Sequence, residues 1–501
     1  MTVDRRAFLA WLGTGALGAA ASAFPASDAE AAGNVTVLTH ATLIDGTDAP
    51  PTRDATIVLA GDRIAAVGRG VAAPAVVGVR VVDLRGKFVI PGLWDAHAHS
   101  STLKRTFPPL HLVNGVTSIR DMDGRPETHD VARAIARGEL AGPRMVIASE
   151  ILDGGNSFVD VHRRVGTLAE VRDAVRDAAA VHAGLVKVYS FMSPEIHAAI
   201  AAEAHRHGLP YGGHVPIQLP VQEVLARGQH SVEHMYAFHA STSERRDEFY
   251  ARLAGLPADT GTWPGALAEL DQAAVASHNA AMTQDLAGRF TACRAWHVPT
   301  LAVLSRMSSP PRELPHDPVL QGLADRYLPR SIRQEWLDMA TGWPEWPPER
   351  IAREAAYFEA ELQLVGELAT AGAPVAAGTD SGYLYTFPGF ATHDELELLV
   401  RAGLSPHRAL QAATRDAARC AGRPRSGTIV AGQDADLVVL DADPLAEITN
   451  SRRVHAVVSR GTYLGPPERQ RILADVERAA HEDVTPGTGT PGAHCCLRRI
   501  G

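Results

Sequence analysis

Apolar and polar positions alternate with a period of two over residues 34–91. Val35-Thr36-Val37-Leu38, Ala55-Thr56-Ile57-Val58-Leu59, Arg63-Ile64-Ala65-Ala66-Val67 and Val81-Val82-Asp83-Leu84 read as strands separated by Gly-Asp and similar turns. A matching piece lies near the other end. Asp434-Ala435-Asp436-Leu437-Val438-Val439-Leu440 and Val454-His455-Ala456-Val457-Val458 again alternate, with Gly427, Gly432 and Gly461 at turns. Neither piece has enough strands to bury a face alone. The pattern therefore predicts that 34–91 and 424–465 join in one small β-sandwich bracketing the middle of the chain. That middle, 92–423, alternates strand with helix: Thr117–Arg120, Met145–Ala148, helix Leu168–His182, strand Leu185–Tyr189, helix Pro194–Gly208 and strand Tyr211–Val215. This rhythm predicts an α/β fold, a (β/α)₈ TIM-type barrel. The spacing then widens. From His234 to Val298 is 64 residues, and Asp380 lies about 80 further on, where a barrel unit needs roughly half as many. Residues 236–297 and 305–350 are read as insertions on the catalytic face, lid or pocket elements, carrying Gly261-Thr262-Trp263-Pro264 and Trp343-Pro344-Glu345-Trp346-Pro347-Pro348. Residues 466–501 read as a polar helix and then a disordered tail from Thr485.

Composition fits a globular protein: 501 residues, 46% hydrophobic and 21% charged. The formal charge of −9 argues against nucleic acid or an anionic membrane surface as the main partner. At the N-terminus, Asp4-Arg5-Arg6-Ala7-Phe8-Leu9 resembles a twin-arginine export signal. Ala7 to Ala26 carries no charge, and Ala29-Glu30-Ala31 has the small residues of a cleavage site. Residues 1–31 are therefore expected to direct export to the periplasm or the medium. Contact with a membrane is expected only through this segment, if it is retained. Four cysteines, Cys293, Cys420, Cys495 and Cys496, lack zinc-ribbon spacing and leave room for one bridge at most in an exported chain.

Candidate chemistry gathers where apolar runs end. Asp95-Ala96-His97-Ala98-His99 follows a buried-strand pattern. Period two sends Asp95, His97 and His99 to one side, so that two imidazoles can share a divalent cation. His214 and His234 each close a short apolar run after a helix. Lys187 lies within Leu185-Val186-Lys187-Val188-Tyr189, where a charged amine costs several kcal/mol unless it is paired or neutralised. Asp380, after Ala376-Ala377-Gly378-Thr379, can cap a helix, bind a metal or move a proton.

Phe88–His99, Gly115–Asp121, Ser231-Val232-Glu233-His234, Ala377-Gly378-Thr379-Asp380 and Ala431–Leu440 together resemble the amidohydrolase superfamily of metal-dependent hydrolases, in its imidazolonepropionase-like and prolidase-like branch. The resemblance implies two divalent metal ions, zinc by the type of donor. His97, His99 and Asp380 would bind one, and His214 and His234 the other. Lys187 would react with carbon dioxide to become a carbamate bridging both. Asp380 would take a proton from a metal-activated water and return it to the leaving group. Tyr189, two residues beyond Lys187, would face the same site and polarise the scissile carbonyl. His393, just beyond Asp380, would line the same pocket. Glu233 would support a neighbour. The implied activity is hydrolysis of an amide-type C–N bond in a small molecule, a dipeptide or N-acyl amino acid. A mononuclear cyclic-amide hydrolase or deaminase, an esterase or lactonase, and an exported non-catalytic binder remain open, as does a homo-oligomeric state.

Overall fold

The computed structural model describes residues 35–74, 78–154, 163–255 and 263–482. The segment 1–31 expected to direct export, Gly261-Thr262, the tail beyond residue 482 and the Cys495-Cys496 pair lie outside them. Among the described residues no helix is long and apolar enough to cross a membrane.

Among the described residues seventeen strands form three sheets. The first flank supplies β1 (Val35–Leu43), β2 (Thr52–Ala60), β3 (Arg63–Arg69), β4 (Arg80–Asp83) and β5 (Phe88–Pro91). The barrel region supplies β6 (Leu93–Ala98), β7 (Val116–Asp121), β8 (Arg144–Ile147), β9 (Leu152–Asp153), β10 (Arg163–Arg164), β11 (Val186–Val188), β12 (Tyr211–Gly213), β13 (Ser231–Glu233) and β14 (Trp296–Val298). The second flank supplies β15 (Leu437–Leu440), β16 (Val454–Ser459) and β17 (Thr462–Leu464).

The two flanks share one mixed sheet of eight strands, ordered β17-β16-β15-β5-β1-β2-β3 with β4 beside β1. Its seam is the antiparallel pair β5/β15, with Phe88 opposite Leu440 and Ile90 opposite Val438. Alternation decides which core each side chain joins. Leu437, Val439 and Val458 pack with Leu38, Ile57 and Leu59 inside the sheet's own core. Val438, Leu440 and Val457 face the other way, into the core that holds Leu93, Val116 and Ile119. The sheet curls until the start of β3 bonds the segment before β15, through Ile64 N to Gln433 O (3.0 Å) and Ala435 N to Asp62 O (2.9 Å). The sandwich expected from the flanks thus takes the form of one curled sheet.

The middle of the chain has a TIM-barrel-like α/β fold. Parallel strands run in two sheets, β6-β7-β8 and β10-β9-β11-β12-β13-β14. At one seam Gly184 N donates to Ile147 O and Ser149 N to Leu185 O, both at 2.7 Å. At the other, residues 374–381 run between β14 and β6. Ala376 N bonds His297 O on one side, and Ala96 N bonds Ala377 O on the other, both at 2.9 Å. Gly378 is required there, because a Cβ would lie 2.9 Å from His97 N. The barrel wall is therefore two sheets and an extended segment, not one continuous eight-stranded sheet. Helices start where their caps dictate. Thr167 and Glu170 form a reciprocal capping box on Leu168–Ala180, and Ser193 caps Pro194–Arg206 with proline in its first turn.

The two insertions are helical. The first holds Phe238–Ser241, Arg246–Ala254, Trp263–Ala276 and Ala280–Ala292, and the second holds Pro318–Tyr327, Arg330–Gly342 and the start of Pro348–Thr370. They follow β13 and β14, and the first meets the helix that begins at the end of the second, through the rings of His239 and Tyr357, 5.3 Å apart. Trp336, 1% exposed, stacks edge-on against Tyr385 and Phe387 in the loop that follows Asp380. Truncating this buried indole should cost ~3–5 kcal/mol. Urea unfolding of Trp336→Ala should show a loss of that order; a loss below ~1 kcal/mol would mean the insertion folds independently of that contact.

Candidate metal centre

Five of the six candidate ligands lie at or just past the C-terminal end of a barrel strand or of the 374–381 segment, and the sixth, Lys187, lies within a strand. His97 lies within β6 and His99 one residue past it. Lys187 is central in β11, His214 and His234 follow β12 and β13, and Asp380 ends the extended segment. Five of the six are at most 1% exposed; His99 is part-buried. Ring centroids are 5.5 Å apart for His97–His99, 4.8 Å for His97–His234 and 4.7 Å for His214–His234. Asp380 Oδ1 lies 3.2 Å from His99 Nε2 and 3.5 Å from His97 Nε2. Ligand atoms of His97, His234 and Asp380 all fall within 4.8 Å of one another.

The backbone is bent to bring this about. His234 (φ 64°), Thr300 (φ 51°) and Asp380 (φ 57°) are all left-handed non-glycine residues, a conformation that costs of order 1–3 kcal/mol each and collects at functional sites. Asp380 N bonds His97 O at 2.7 Å and His234 N bonds Val298 O at 2.8 Å, which fixes both bends.

A shell of polar groups aims the rings. His97 Nδ1 lies 2.9 Å from Glu233 Oε2, so its N–H goes to the carboxylate and Nε2 keeps the lone pair. His214 Nδ1 meets Ser190 Oγ at 2.7 Å, and His234 Nδ1 meets Thr300 Oγ1 at 2.6 Å. His97 Nε2 and His214 Nε2 are buried without a hydrogen-bond partner among the described residues. Asp95 accepts from the backbone of His97 (3.1 Å) and of Thr379 (3.0 Å), tying the two ligand segments together, and burial pushes its carboxyl up to about 7. It serves the backbone, although it shares a strand face with His97.

Charge follows from this packing. Burial, and then the neighbouring Lys187, brings His97 down to about 4. Burial, and then the neighbouring imidazoles and Lys187, put His214 and His234 well below the usual histidine range. All three are neutral imidazoles at pH 7, the form that binds metal. Burial opposes ionisation of Asp380, yet His97, His99 and His234 hold its carboxyl well below the ordinary range. A tetrahedral zinc ion with bonds of about 2.0–2.2 Å separates its ligand atoms by roughly 3.4 Å. The 3.2 and 3.5 Å spacings around Asp380 Oδ1 match that. Orphaned Nε2 atoms, neutral rings and this spacing all fit a divalent cation.

Tyr189 lies in the cluster, its ring stacked on His214 at 3.9 Å. His393 does not. Its Nδ1 meets Ser451 Oγ and its Nε2 meets Asn114 O, both at 3.0 Å. Asn114 precedes β7, at the end of that strand remote from the histidines. Nearness to Asp380 in sequence is undone by the intervening loop 381–389, and both ring nitrogens are occupied, so His393 is not a pocket residue.

Arg120 is the residue that reading strand ends does not single out. It is 1% exposed and donates to Ala96 O (2.6 Å), Ser231 Oγ (3.1 Å) and Glu233 Oε1 (2.8 Å). Its signal is the same as that of Lys187, a charge inside an apolar strand. Arg120→Met would strand the buried Glu233 charge and should cost ~3–5 kcal/mol, whereas Arg120→Met/Glu233→Gln should cost less than the single change. Equal losses in urea unfolding would refute the coupling.

The model of the amidohydrolase family matches residues 88–464. No curated protein sequence matches the chain. Among solved structures, one described as a prolidase from Bifidobacterium longum is similar at 25% identity, covering 89% of this chain and 99% of that one, with a TM-score of 0.61. A bottromycin amidohydrolase is similar at 25% identity, with coverage of 90% and 91% and a TM-score of 0.70. A Xaa-Pro dipeptidase, at 19% identity, shares the fold over 86% of this chain and all of its own, with a TM-score of 0.60. With three quarters of its length inside the family pattern and that pattern carrying the histidine cluster, the chain belongs to the amidohydrolase family, in the prolidase-like branch of the superfamily, and is a hydrolase acting on carbon–nitrogen bonds.

Proposed function

We propose that this is an exported, binuclear metal-dependent hydrolase that cleaves the amide bond of a dipeptide or an N-acyl amino acid. One observation carries the reading: six buried or part-buried ligand-type side chains come from neighbouring strands and the 374–381 segment, and three of the rings have their far nitrogen tied to Glu233, Ser190 or Thr300. His97, His99 and Asp380 would hold one zinc ion and His214 and His234 the other, with Lys187 as the carbamate between them. The metals, when bound, supply Lewis acidity and a water acidic enough to react at neutral pH. The chain's own part is proton traffic and positioning. Asp380 accepts the proton of the attacking water and hands it to the departing amine nitrogen. Tyr189, held on His214, offers its hydroxyl to the carbonyl oxygen as charge builds there. The amide class is supported by the similarity to the prolidase and the amidohydrolase. The twin-arginine-like segment supports export.

A mononuclear reading has one observation in its favour: His97, His234 and Asp380 form by themselves the one tight triad among the described residues. Metal counting with a substrate screen decides. Mature protein should hold about two metals per chain and turn over dipeptides or N-acyl amino acids. One metal, or turnover of esters and lactones alone, would overturn the binuclear amide assignment.

A further inference from the structure

A second site lies at the opposite end of the barrel from the histidines. Between the N-terminal ends of β6 and β8 and the curled sheet is a cavity of about 460 Å³, lined among others by Arg63, Arg144, Arg423, Arg425, Arg460 and Asp434. Trp94 forms part of its wall, fixed by Nε1 to Ser426 Oγ at 3.0 Å. That volume suits a small ligand.

The charges around the cavity do not cancel. Arg63 pairs with Asp434 and, at 3.6 Å, with Asp62. Arg144 Nε donates to the buried Asp436 at 2.6 Å, while its Nη2 is buried with no hydrogen-bond partner among the described residues. Among the described residues the Arg460 guanidinium hydrogen-bonds neutral acceptors, Gly142 O at 3.3 Å and Ser459 Oγ at 3.4 Å, while its backbone N–H donates to Asp436. Arg423 and Arg425 form no ion pair within 4.0 Å among the described residues, although Asp434 lines the same cavity. Five guanidinium groups thus meet three carboxylates, a surplus of two positive charges. Burial, and then the adjacent Arg144, lowers the pKa of Arg460, so this cation is held against repulsion. Arg460 also occupies a left-handed turn position (φ 51°) beside Gly461, where glycine or asparagine would be cheaper. A guanidinium retained at these costs is compensated when an anion enters. Planar N–H forks match phosphate oxygens two at a time.

We propose that this cavity binds the phosphate group of a small phosphorylated molecule or free phosphate itself, apart from the hydrolytic centre. Calorimetry on the full-length, metal-loaded protein at low ionic strength tests it, with inorganic phosphate, pyrophosphate, adenosine diphosphate and citrate as probes. Phosphate and pyrophosphate should bind, and citrate should bind more weakly. Adenosine diphosphate binding more tightly than pyrophosphate would assign a nucleotide rather than free phosphate as the occupant. Two variants locate the site. Arg460→Gly suits the positive φ and removes one guanidinium. Arg423→Gln/Arg425→Gln changes exposed residues only. Each should weaken binding at least tenfold with circular dichroism and thermal midpoint unchanged. Absence of binding by all four probes would overturn the proposal. So would affinity unchanged in both variants, which would place the anion at the metal centre.

Discussion

Asp380→Asn should lower kcat by ~10²–10⁴-fold while most of the metal stays bound. Asparagine keeps the shape of the side chain and tolerates a left-handed backbone better than most residues, so the bend at φ 57° survives. Its amide oxygen still faces His97 and His99, where Asp380 Oδ1 now lies 3.5 and 3.2 Å away. Chemistry is what changes. A carboxylate held ionised among imidazoles can take a proton and give it back; an amide can do neither. KM should move little, because Asp380 is buried among the ligands and not along a substrate wall. Metal analysis beside steady-state kinetics separates the two effects. Near-normal kcat would end the proton-shuttle role, and proportional loss of metal and activity would reduce Asp380 to a ligand.

The buried cluster of His97, His99, His214, His234 and Asp380 is legible in the sequence because each follows or ends an apolar run that reads as a buried strand, with Lys187 inside another such run. Strand direction in a parallel barrel then sends those ends to one face. The flanks are legible for a related reason, since two β-rich pieces too small to fold alone must pair, and β5 with β15 does so residue by residue. What cannot be read is pairing across long separations. Glu233 finds Arg120 across 113 positions, and His234 finds Thr300 across 66. Serine, threonine and arginine are too common in strands and turns for their types to betray such roles. His393 shows the opposite error, in which closeness along the chain stands in for closeness in space. The segment 374–381 escapes the strand pattern because Gly378 and the bend at Asp380 break the alternation that a regular strand would show. The insertions are visible as excess length, but their helices meet each other and the loop after Asp380 through aromatic contacts that spacing does not reveal.

Lys187→Ala should lose more activity than the ~10–100-fold that follows loss of an outer-shell partner, and should lose metal with it. Lys187 is 1% exposed within β11, and its charge bears on His97, His99, His214 and His234. The fold makes space for its stem. A Cβ on Gly213, in the neighbouring strand, would lie 3.0 Å from Lys187 Cδ and 2.2 Å from Val188 O. An ammonium at this position repels any cation that approaches, so a lysine kept here for structure alone would oppose the site it lines. A carbamate reverses the sign and supplies two oxygens where the amine supplied a charge. Alanine removes both, and metal content should fall from about two per chain to one or fewer. A short-chain carboxylate such as acetate or propionate, small enough for the vacated space, should restore part of both metal and turnover. Restoration that rises with carboxylate concentration and fails with the corresponding alcohol would identify the missing group as a pair of oxygens. Unchanged metal content and near-normal turnover in Lys187→Ala would instead make Lys187 structural, and one metal per chain both with and without the lysine would favour the mononuclear triad of His97, His234 and Asp380.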